Sequence, residues 1–203
     1  MGFLNTNAYI LFCPSVREAA IIDPGGEPEK IAEKIHASNL KVKYIFNTHG
    51  HSDHTAANSI LKDEFGGLIV VHKLDAFMLS NTEINKWYPE FKPSTPDITV
   101  EDGEVFELDT KFGVEKLKVV HTPGHTPGSM IIMMHKGVFT GDTIFKNGLG
   151  RVDLPFSSKE DMKNSIMKIL SLIPDSHVIY PGHGEKALFS DVRETLKHLI
   201  HVI

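Results

Sequence analysis

The segment from Thr48 to His54 carries the residues with the clearest capacity for chemistry. Its sequence is Thr-His-Gly-His-Ser-Asp-His, so three imidazoles and one carboxylate stand close together in the chain. Neutral imidazole nitrogens and carboxylate oxygens are the ligands that zinc and similar divalent metals prefer. An extended backbone directs His49 and His51 to the same side, whereas Asp53 follows where the chain is expected to turn. The segment therefore predicts ligands for two adjacent metal ions.

Three later segments place further ligand candidates directly after predicted strands. His125 lies in a loop rich in glycine and proline, Asp142 follows a short apolar run, and His183 lies in the sequence Pro-Gly-His-Gly. Rigid turns hold a side chain in place, and loops at strand ends commonly form binding sites. Each segment alone also fits an ordinary turn. Together they predict a metal centre shared with residues 49–54.

The other histidines are predicted to have no part in that centre. His121 is four residues before His125 and more simply ends a strand. His72 and Asp75 fit either a role behind the ligands or the start of a helix. The remaining histidines are expected at the surface or partly buried: His36, His135, His177, His198 and His201.

Composition limits the class of protein. The 203 residues include 41% hydrophobic and 23% charged side chains, which is typical of a globular protein and suits one domain over residues 1–203. A net charge of −5 argues against a nucleic-acid partner. No apolar run approaches the ~20 residues of a membrane span. Cys13 is the only cysteine and no secretory leader pattern is present, so a cytoplasmic location is expected.

Short apolar runs that are typical of strands come in groups, separated by helical segments. This order predicts an α/β or α+β fold in which two sheets pack together with helices outside. The clearest helix is expected over Ser157–Leu172, with Ser157 and Glu160 as a capping box, and a strand is expected over Ile98–Leu108. Asn81–Asp97 is predicted to be a long loop. Its aromatic residues either cover a site or, as the favoured interpretation, complete the core: Trp87, Tyr88 and Phe91.

The complete set of ligand candidates resembles that of the metallo-β-lactamase superfamily. The resemblance extends from Asn7-Ala8-Tyr9 to His183 and implies a four-layer αββα sandwich with metals at one edge of the two sheets. Within the superfamily, the chain is most similar to the short, single-domain members of the glyoxalase II group, the hydroxyacylglutathione hydrolases. The sequences Gly-Asp-Thr-Ile-Phe at 141–145 and Gly-Leu-Gly-Arg-Val-Asp-Leu-Pro at 148–155 carry this similarity.

The resemblance also implies a role for each ligand candidate. Two divalent metal ions would be bound, with zinc favoured over iron or manganese. The first site would comprise His49, His51 and His125, the second Asp53, His54 and His183, and Asp142 would bridge them. Such a pair lowers the pKa of a shared water from ~15.7 toward ~7, so hydroxide is available at neutral pH to attack a thioester carbonyl. Asp53 would orient the hydroxide, and the expected substrate is a hydroxyacylglutathione such as S-D-lactoylglutathione.

Recognition of glutathione is where the chain departs from the larger glyoxalase II enzymes. Those enzymes carry a C-terminal helical domain with cationic groups for glutathione, whereas about twenty residues follow His183 here. Arg151 lies where the family places a basic substrate contact and is the remaining candidate for that role. An ion pair with Asp153 accounts for the same arginine equally well.

Other activities on the same scaffold stay open. Persulfide dioxygenases are similar at residues 150–153 and hold a single iron at the equivalents of His49, His125 and Asp142, with open positions for oxygen and substrate. A lactonase would use the same hydroxide to open an ester ring. A flavodiiron redox module is disfavoured, because those proteins normally carry glutamate in place of His51. A β-lactamase is disfavoured because enzymes with the full histidine motif generally lack an equivalent of Asp142.

Overall fold

The computed structural model describes residues 1–203, and five of its strands form a first sheet. These strands are Tyr9–Phe12 (β1), Glu18–Ile22 (β2), Lys41–Asn47 (β3), Leu68–His72 (β4) and Ile98–Val100 (β5). They lie side by side in chain order. The first two form an antiparallel hairpin, and the remaining pairs are parallel, so β2 to β5 all point the same way.

Six further strands form a second sheet. They are Val105–Thr110 (β6), Gly113–His121 (β7), Met130–Met134 (β8), Gly137–Gly141 (β9), Val178–Pro181 (β12) and Ala187–Leu188 (β13). Ile144–Phe145 (β10) and Gly148–Leu149 (β11) form a separate two-stranded ribbon. The order in the sheet is β13-β12-β9-β8-β7-β6, and only the β9–β12 pair is parallel. β8 and β9 form an antiparallel hairpin.

The helices are short and connect the strands. They are Pro28–Ala37 (α1), Ser52–Thr55 (α2), Asn58–Phe65 (α3), Thr82–Asn85 (α4), Lys159–Leu172 (α5) and Phe189–Leu199 (α6), with a 3-10 helix at Ala76–Leu79. None of them combines the length and the apolar character that crossing a bilayer requires.

Alternating side chains in the buried strands explain why the molecule has layers. In β3, Ile45 faces outward and packs with Ile31 of α1 and Leu61 of α3, whereas Phe46 faces the second sheet. In β8, Ile132 meets that same inner core, whereas Ile131 faces α5 and α6. Successive residues of a strand point to opposite faces, so each sheet buries one face on the other sheet and one on helices. The predicted αββα arrangement is confirmed.

The longest helix, α5, lies within the predicted segment Ser157–Leu172, but its cap lies one residue later than expected. Met162, Ile166 and Ile169 of α5 are buried against the second sheet. The residue that caps the helix is Ser158, whose hydroxyl accepts a hydrogen bond from the backbone N–H of Asp161 at 3.2 Å. The prediction of a Ser157 cap was wrong, since two consecutive serines leave the position of the cap ambiguous in the sequence.

Two other sequence predictions need correction. Ile98–Leu108 is not one strand, because the chain crosses from the first sheet to the second after Val100 and turns at Gly103, where φ is +90°. Asn81–Asp97 contains α4, whose first N–H groups are capped by the Asn81 side chain. Of its aromatic residues, Tyr88 is buried as expected, but Trp87 is 48% exposed.

Candidate metal centre

The seven predicted ligand side chains meet at one edge of the two sheets. Each lies shortly after the carboxyl end of a strand, either in a loop or, for Asp53 and His54, in the short helix α2. The residues arrive as His49, His51, Asp53 and His54 after β3, His125 after β7, Asp142 after β9 and His183 after β12.

Three imidazoles form the first cluster. Nδ1 of His51 lies 3.1 Å from Nε2 of His49 and 3.0 Å from Nε2 of His125. Burial, followed by repulsion from neighbouring imidazoles, lowers the pKa of His51 to about 3 and that of His49 well below its usual value. Both rings are therefore neutral at physiological pH, which is the form that binds metal.

Hydrogen bonds behind this cluster fix which nitrogens carry lone pairs. Nδ1 of His125 lies 2.9 Å from the carbonyl oxygen of Arg151, which can only accept, so this nitrogen carries the proton. Nδ1 of His49 lies 3.3 Å from the Thr48 hydroxyl, whose own proton goes to Asp23. Consequently Nε2 of both rings points an unprotonated lone pair at the same place. Such outer hydrogen bonds commonly orient metal-binding histidines.

A second cluster lies beside the first and combines carboxylates with imidazoles. The Asp53 carboxylate is 3.5 Å from Nε2 of His54 and 3.3 Å from Nε2 of His183. Asp142 lies between the clusters, with one oxygen 3.4 Å from His54 and the other 3.5 Å from His183 and 3.6 Å from His125. The two groups of side chains therefore share one carboxylate.

Unpartnered buried atoms test whether these residues fit a metal. Nε2 of His54 and Oδ1 of Asp142 are both buried and have no hydrogen-bond partner. Buried polar groups are normally satisfied, so a bound cation accounts for both orphaned atoms at once. Three overlapping groups of these side chains have potential ligand atoms within 4.8 Å of one another. The donor set therefore fits divalent metal ions.

The charges of the second cluster also favour a cation. Burial alone would lower the pKa of His54, but the carboxylates of Asp53, Asp142 and Asp23 outweigh it and raise that pKa to about 10. Burial likewise opposes ionisation of Asp53, but the imidazoles of His54 and His183 lower its pKa below the usual value. In the absence of metal, a proton on His54 thus supplies part of the missing positive charge.

This proton gives the metal-free protein a specific pH dependence. The pKa of His54 is about 10 in the folded chain, against about 6.5 when unfolded, so its stabilising charge is complete below pH 6.5 and is lost as the pH rises through 10. We expect the melting temperature of chelator-treated protein to fall between pH 7 and pH 10.5. His54→Ala should flatten this fall, whereas His135→Ala, a surface substitution, should not. An unchanged slope in His54→Ala would contradict the assigned charge.

Asp75 is a residue whose role the sequence left undecided. Its buried carboxylate accepts hydrogen bonds from the backbone N–H of Gly50 at 2.9 Å, the N–H of Gly128 at 2.6 Å and the hydroxyl of Thr126 at 2.6 Å. It thereby joins the loop that carries His49 and His51 to the loop that carries His125. Both interpretations hold for Asp75, since it also precedes the 3-10 helix Ala76–Leu79, whereas His72 stacks on His121.

Asp23 does the same for the second cluster, a role that sequence reasoning did not identify. Its carboxylate accepts hydrogen bonds from the N–H and the hydroxyl of Thr48, both at 2.7 Å, and lies 3.1 Å from Nδ1 of His54. Asp23 has a φ of +52°, a left-handed backbone that aspartate tolerates better than most residues. The only signal in the sequence was that this aspartate opens a Pro-Gly-Gly turn.

Two glycines allow the backbone to approach Asp142 closely. A Cβ atom at Gly150 would lie 1.7 Å from the Asp142 carbonyl oxygen. At Gly182, a Cβ would lie 2.3 Å from the Asp142 carboxylate and 2.5 Å from the His54 ring. Any larger residue at either position would displace the shared carboxylate.

The remaining candidates lie at the margin of the clusters. The Arg151 guanidinium donates two hydrogen bonds of 2.9 Å to the Asp153 carboxylate and is 67% exposed, so the ion pair anticipated from sequence is formed. His121 ends β7 as predicted and stacks on His72, with ring centroids 3.9 Å apart. It contributes no atom to either cluster.

Comparisons with known proteins agree with this geometry. The family model of the metallo-β-lactamase superfamily matches residues 1–183. The chain is 37% identical over 175 residues to the hydroxyacylglutathione hydrolase GloC of Haemophilus influenzae, covering 83% of this chain and 81% of that protein. The crystal structure of BLEG-1, a B3 metallo-β-lactamase, superposes with a TM-score of 0.87 at 28% identity, covering 98% and 96% of the two chains. TTHA1623, solved in a di-iron-bound form, gives a TM-score of 0.82 at 30% identity and covers 96% of each chain.

The matched family model and the superposed structures agree with the αββα layers described above. The chain therefore belongs to the metallo-β-lactamase superfamily.

Proposed function

We propose that this protein is a metal-dependent hydrolase that cleaves thioesters, with hydroxyacylglutathiones such as S-D-lactoylglutathione as the candidate substrates. The observation that carries the proposal is the pair of clusters joined by Asp142 at the floor of an open cavity. The similarity to GloC supports a thioester substrate, since that relative is named a hydroxyacylglutathione hydrolase.

The proposal assigns two divalent cations to the clusters, with zinc favoured and iron or manganese as alternatives. His49, His51 and His125 would hold one ion, Asp53, His54 and His183 the other, and Asp142 both. Bound there, such ions lower the pKa of water toward ~7 and polarise a carbonyl group. The di-iron form of TTHA1623 supports a two-metal site on this fold.

The protein's own groups would prepare the floor for attack on a carbonyl. Asp53 stays ionised, because its pKa is lowered by the adjacent imidazoles, and its carboxylate is held by the Thr6 hydroxyl at 3.0 Å. A fixed, ionised carboxylate can accept a hydrogen bond from a water molecule. That bond would orient the lone pair of the water oxygen toward the substrate carbonyl. No serine or cysteine lines the cavity, and Cys13 contacts Ser15 elsewhere, so water is the proposed nucleophile.

The test is release of glutathione from S-D-lactoylglutathione by metal-loaded protein. We expect thiol release that stops on chelation and returns when metal is restored. His54→Ala should lose most of the activity, whereas His135→Ala, which removes a surface imidazole, should keep it. A metal-loaded protein that releases no thiol from any thioester would refute the proposal.

The same preparation discriminates the alternative activities. A persulfide dioxygenase would bind one iron per chain and consume oxygen with glutathione persulfide. A lactonase would open lactones but leave thioesters intact. The similarity to BLEG-1 also raises β-lactamase activity as an alternative, and a β-lactamase would hydrolyse nitrocefin. Any of these results without thioester cleavage would replace the proposed function.

A further inference from the structure

The cavity over the two clusters has apolar walls, which binding of metal ions does not require. Its volume is about 850 Å³, within the range of sites for small molecules. The floor is formed by ligand candidates, including His51, Asp53 and His183. The walls are mainly apolar and include Phe3, Leu4, Met78, Ile84, Trp87, Leu154, Pro155 and Phe156.

Large aromatic rings on these walls are exposed, although burial would stabilise the fold. The exposed fractions are 56% for Phe3, 48% for Trp87 and 53% for Phe156. Phe3 and Trp87 contact each other edge to face, with centroids 6.3 Å apart, and Phe3 stacks on buried Tyr88. A contiguous exposed apolar surface around a cavity marks a binding site for an apolar group.

The backbone at Phe156 supports this interpretation independently. Phe156 has a φ of +69°, a left-handed conformation that is a genuine outlier for a bulky side chain. Its ring is supported from outside by Phe77, with centroids 5.6 Å apart and planes at 81°. Strained backbone of this kind is found where it places a functional side chain.

The walls carry little positive charge, so they favour an apolar arm over a strongly anionic one. Apart from the histidines of the floor, Arg151 is the only cationic residue that lines the cavity. Its guanidinium is engaged by both oxygens of Asp153. Glutathione carries two carboxylates, for which Arg151, paired with an exposed Asp153, is the one cationic side chain on the walls.

We propose that the cavity selects thioesters with an apolar arm, such as a medium-length acyl chain, which lies between Trp87 and Phe156 while the carbonyl reaches the floor. The inference rests on the proposed thioester hydrolysis and narrows its substrate class. In the reaction, water adds to the carbonyl carbon, the C–S bond breaks, and the products are a carboxylic acid and a thiol that takes up one proton from water. No oxidant or further reactant is needed.

The kinetic test varies only the acyl chain. Acetyl, butanoyl, hexanoyl and octanoyl thioesters of N-acetylcysteamine, an uncharged carrier, are compared with S-D-lactoylglutathione on the metal-loaded protein. Burial of each added methylene should raise kcat/KM about two- to fourfold. Trp87→Ala and Phe156→Ala should flatten this dependence, whereas Phe112→Ala, which removes a ring that is 92% exposed on the β6–β7 turn, should not. Thioester cleavage with no chain-length dependence would overturn the inference and leave the proposed function intact.

A second measurement does not depend on activity. Trp87 is the only tryptophan, so its fluorescence reports directly on the wall of the cavity. N-acetyl-S-octylcysteamine, a thioether that cannot be hydrolysed, should shift this emission and bind at least about tenfold more tightly than the S-methyl analogue. Phe156→Ala should weaken octyl binding, with Phe112→Ala as the control. Equal response to both thioethers would refute the apolar site, whereas selective octyl binding without any thioester cleavage would retain it and refute the proposed function.

Discussion

Asp142→Asn is expected to lower kcat/KM for thioester hydrolysis by at least about a thousandfold. This carboxylate is the group common to both clusters, lying 3.4 Å from His54 and 3.6 Å from His125. A residue that only supports a metal ligand typically contributes 10- to 100-fold, so a shared ligand should exceed that range. Asparagine keeps the size of the side chain, and the loss should therefore reflect charge and ligation.

The control for this substitution is Asp63→Asn, which removes one carboxylate from the exposed face of α3. It should leave kcat/KM and metal content unchanged. Activity, metal content and melting temperature are measured together on each variant. An Asp142→Asn protein that is folded, binds two metals and loses less than tenfold in kcat/KM would show that this carboxylate is not shared by the two ions.

Asp75→Ala is expected to produce the largest loss of stability. It removes a buried acceptor of three hydrogen bonds and leaves the N–H groups of Gly50 and Gly128 without partners, whereas the Thr126 hydroxyl keeps its contact with the Ser129 hydroxyl. Each unsatisfied buried group costs about 1–3 kcal/mol, so a total on the order of 3–5 kcal/mol is expected. For a chain of this length, that lowers the melting temperature by roughly 6–20 °C.

The same variant should weaken the first metal site, because Asp75 connects the loops of His49 and His125. We expect metal affinity there to fall about 10- to 100-fold. Asp63→Ala is the matched control and should change neither quantity. If Asp75→Ala melted within about 2 °C of the wild type, the three hydrogen bonds would have no structural importance.

The ligand loops could be predicted from sequence because their information is local. His49 and His51 lie two residues apart on extended backbone, and His51 indeed has β-region dihedral angles. Asp142 and His183 follow short apolar runs that are strands in the structure. The order of runs and helices suggested two packed sheets with helices outside, and the family resemblance implied the αββα arrangement.

The sequence left the role of Asp75 undecided and did not identify Asp23, because the partners of both residues are distant in the chain. Asp75 meets residues about fifty positions away, and Asp23 meets Thr48 and His54 across two elements. Nothing near Asp75 in the sequence distinguishes it from a residue that starts a helix. The prediction of one strand over Ile98–Leu108 was wrong for a related reason. Tertiary packing places β5 in the first sheet and β6 in the second, and nothing local in the sequence marks that division.

Trp87 illustrates a third limit of sequence reasoning. Large aromatic residues are usually buried, which favours a place in the core, and this holds for Tyr88, whose hydroxyl donates to the Gly25 carbonyl at 2.8 Å. The adjacent Trp87 instead borders the cavity. Whether an aromatic ring in this segment is buried or borders the cavity depends on its tertiary surroundings, which the sequence does not show.

Counting bound metal ions per chain tests the central claim most directly. Protein purified without chelator and saturated with zinc should contain two ions per chain by elemental analysis, and His54→Ala should contain about one, since it retains the three imidazoles of His49, His51 and His125. A wild-type protein that binds no tightly held metal, or a His54→Ala protein that retains two ions, would contradict the account.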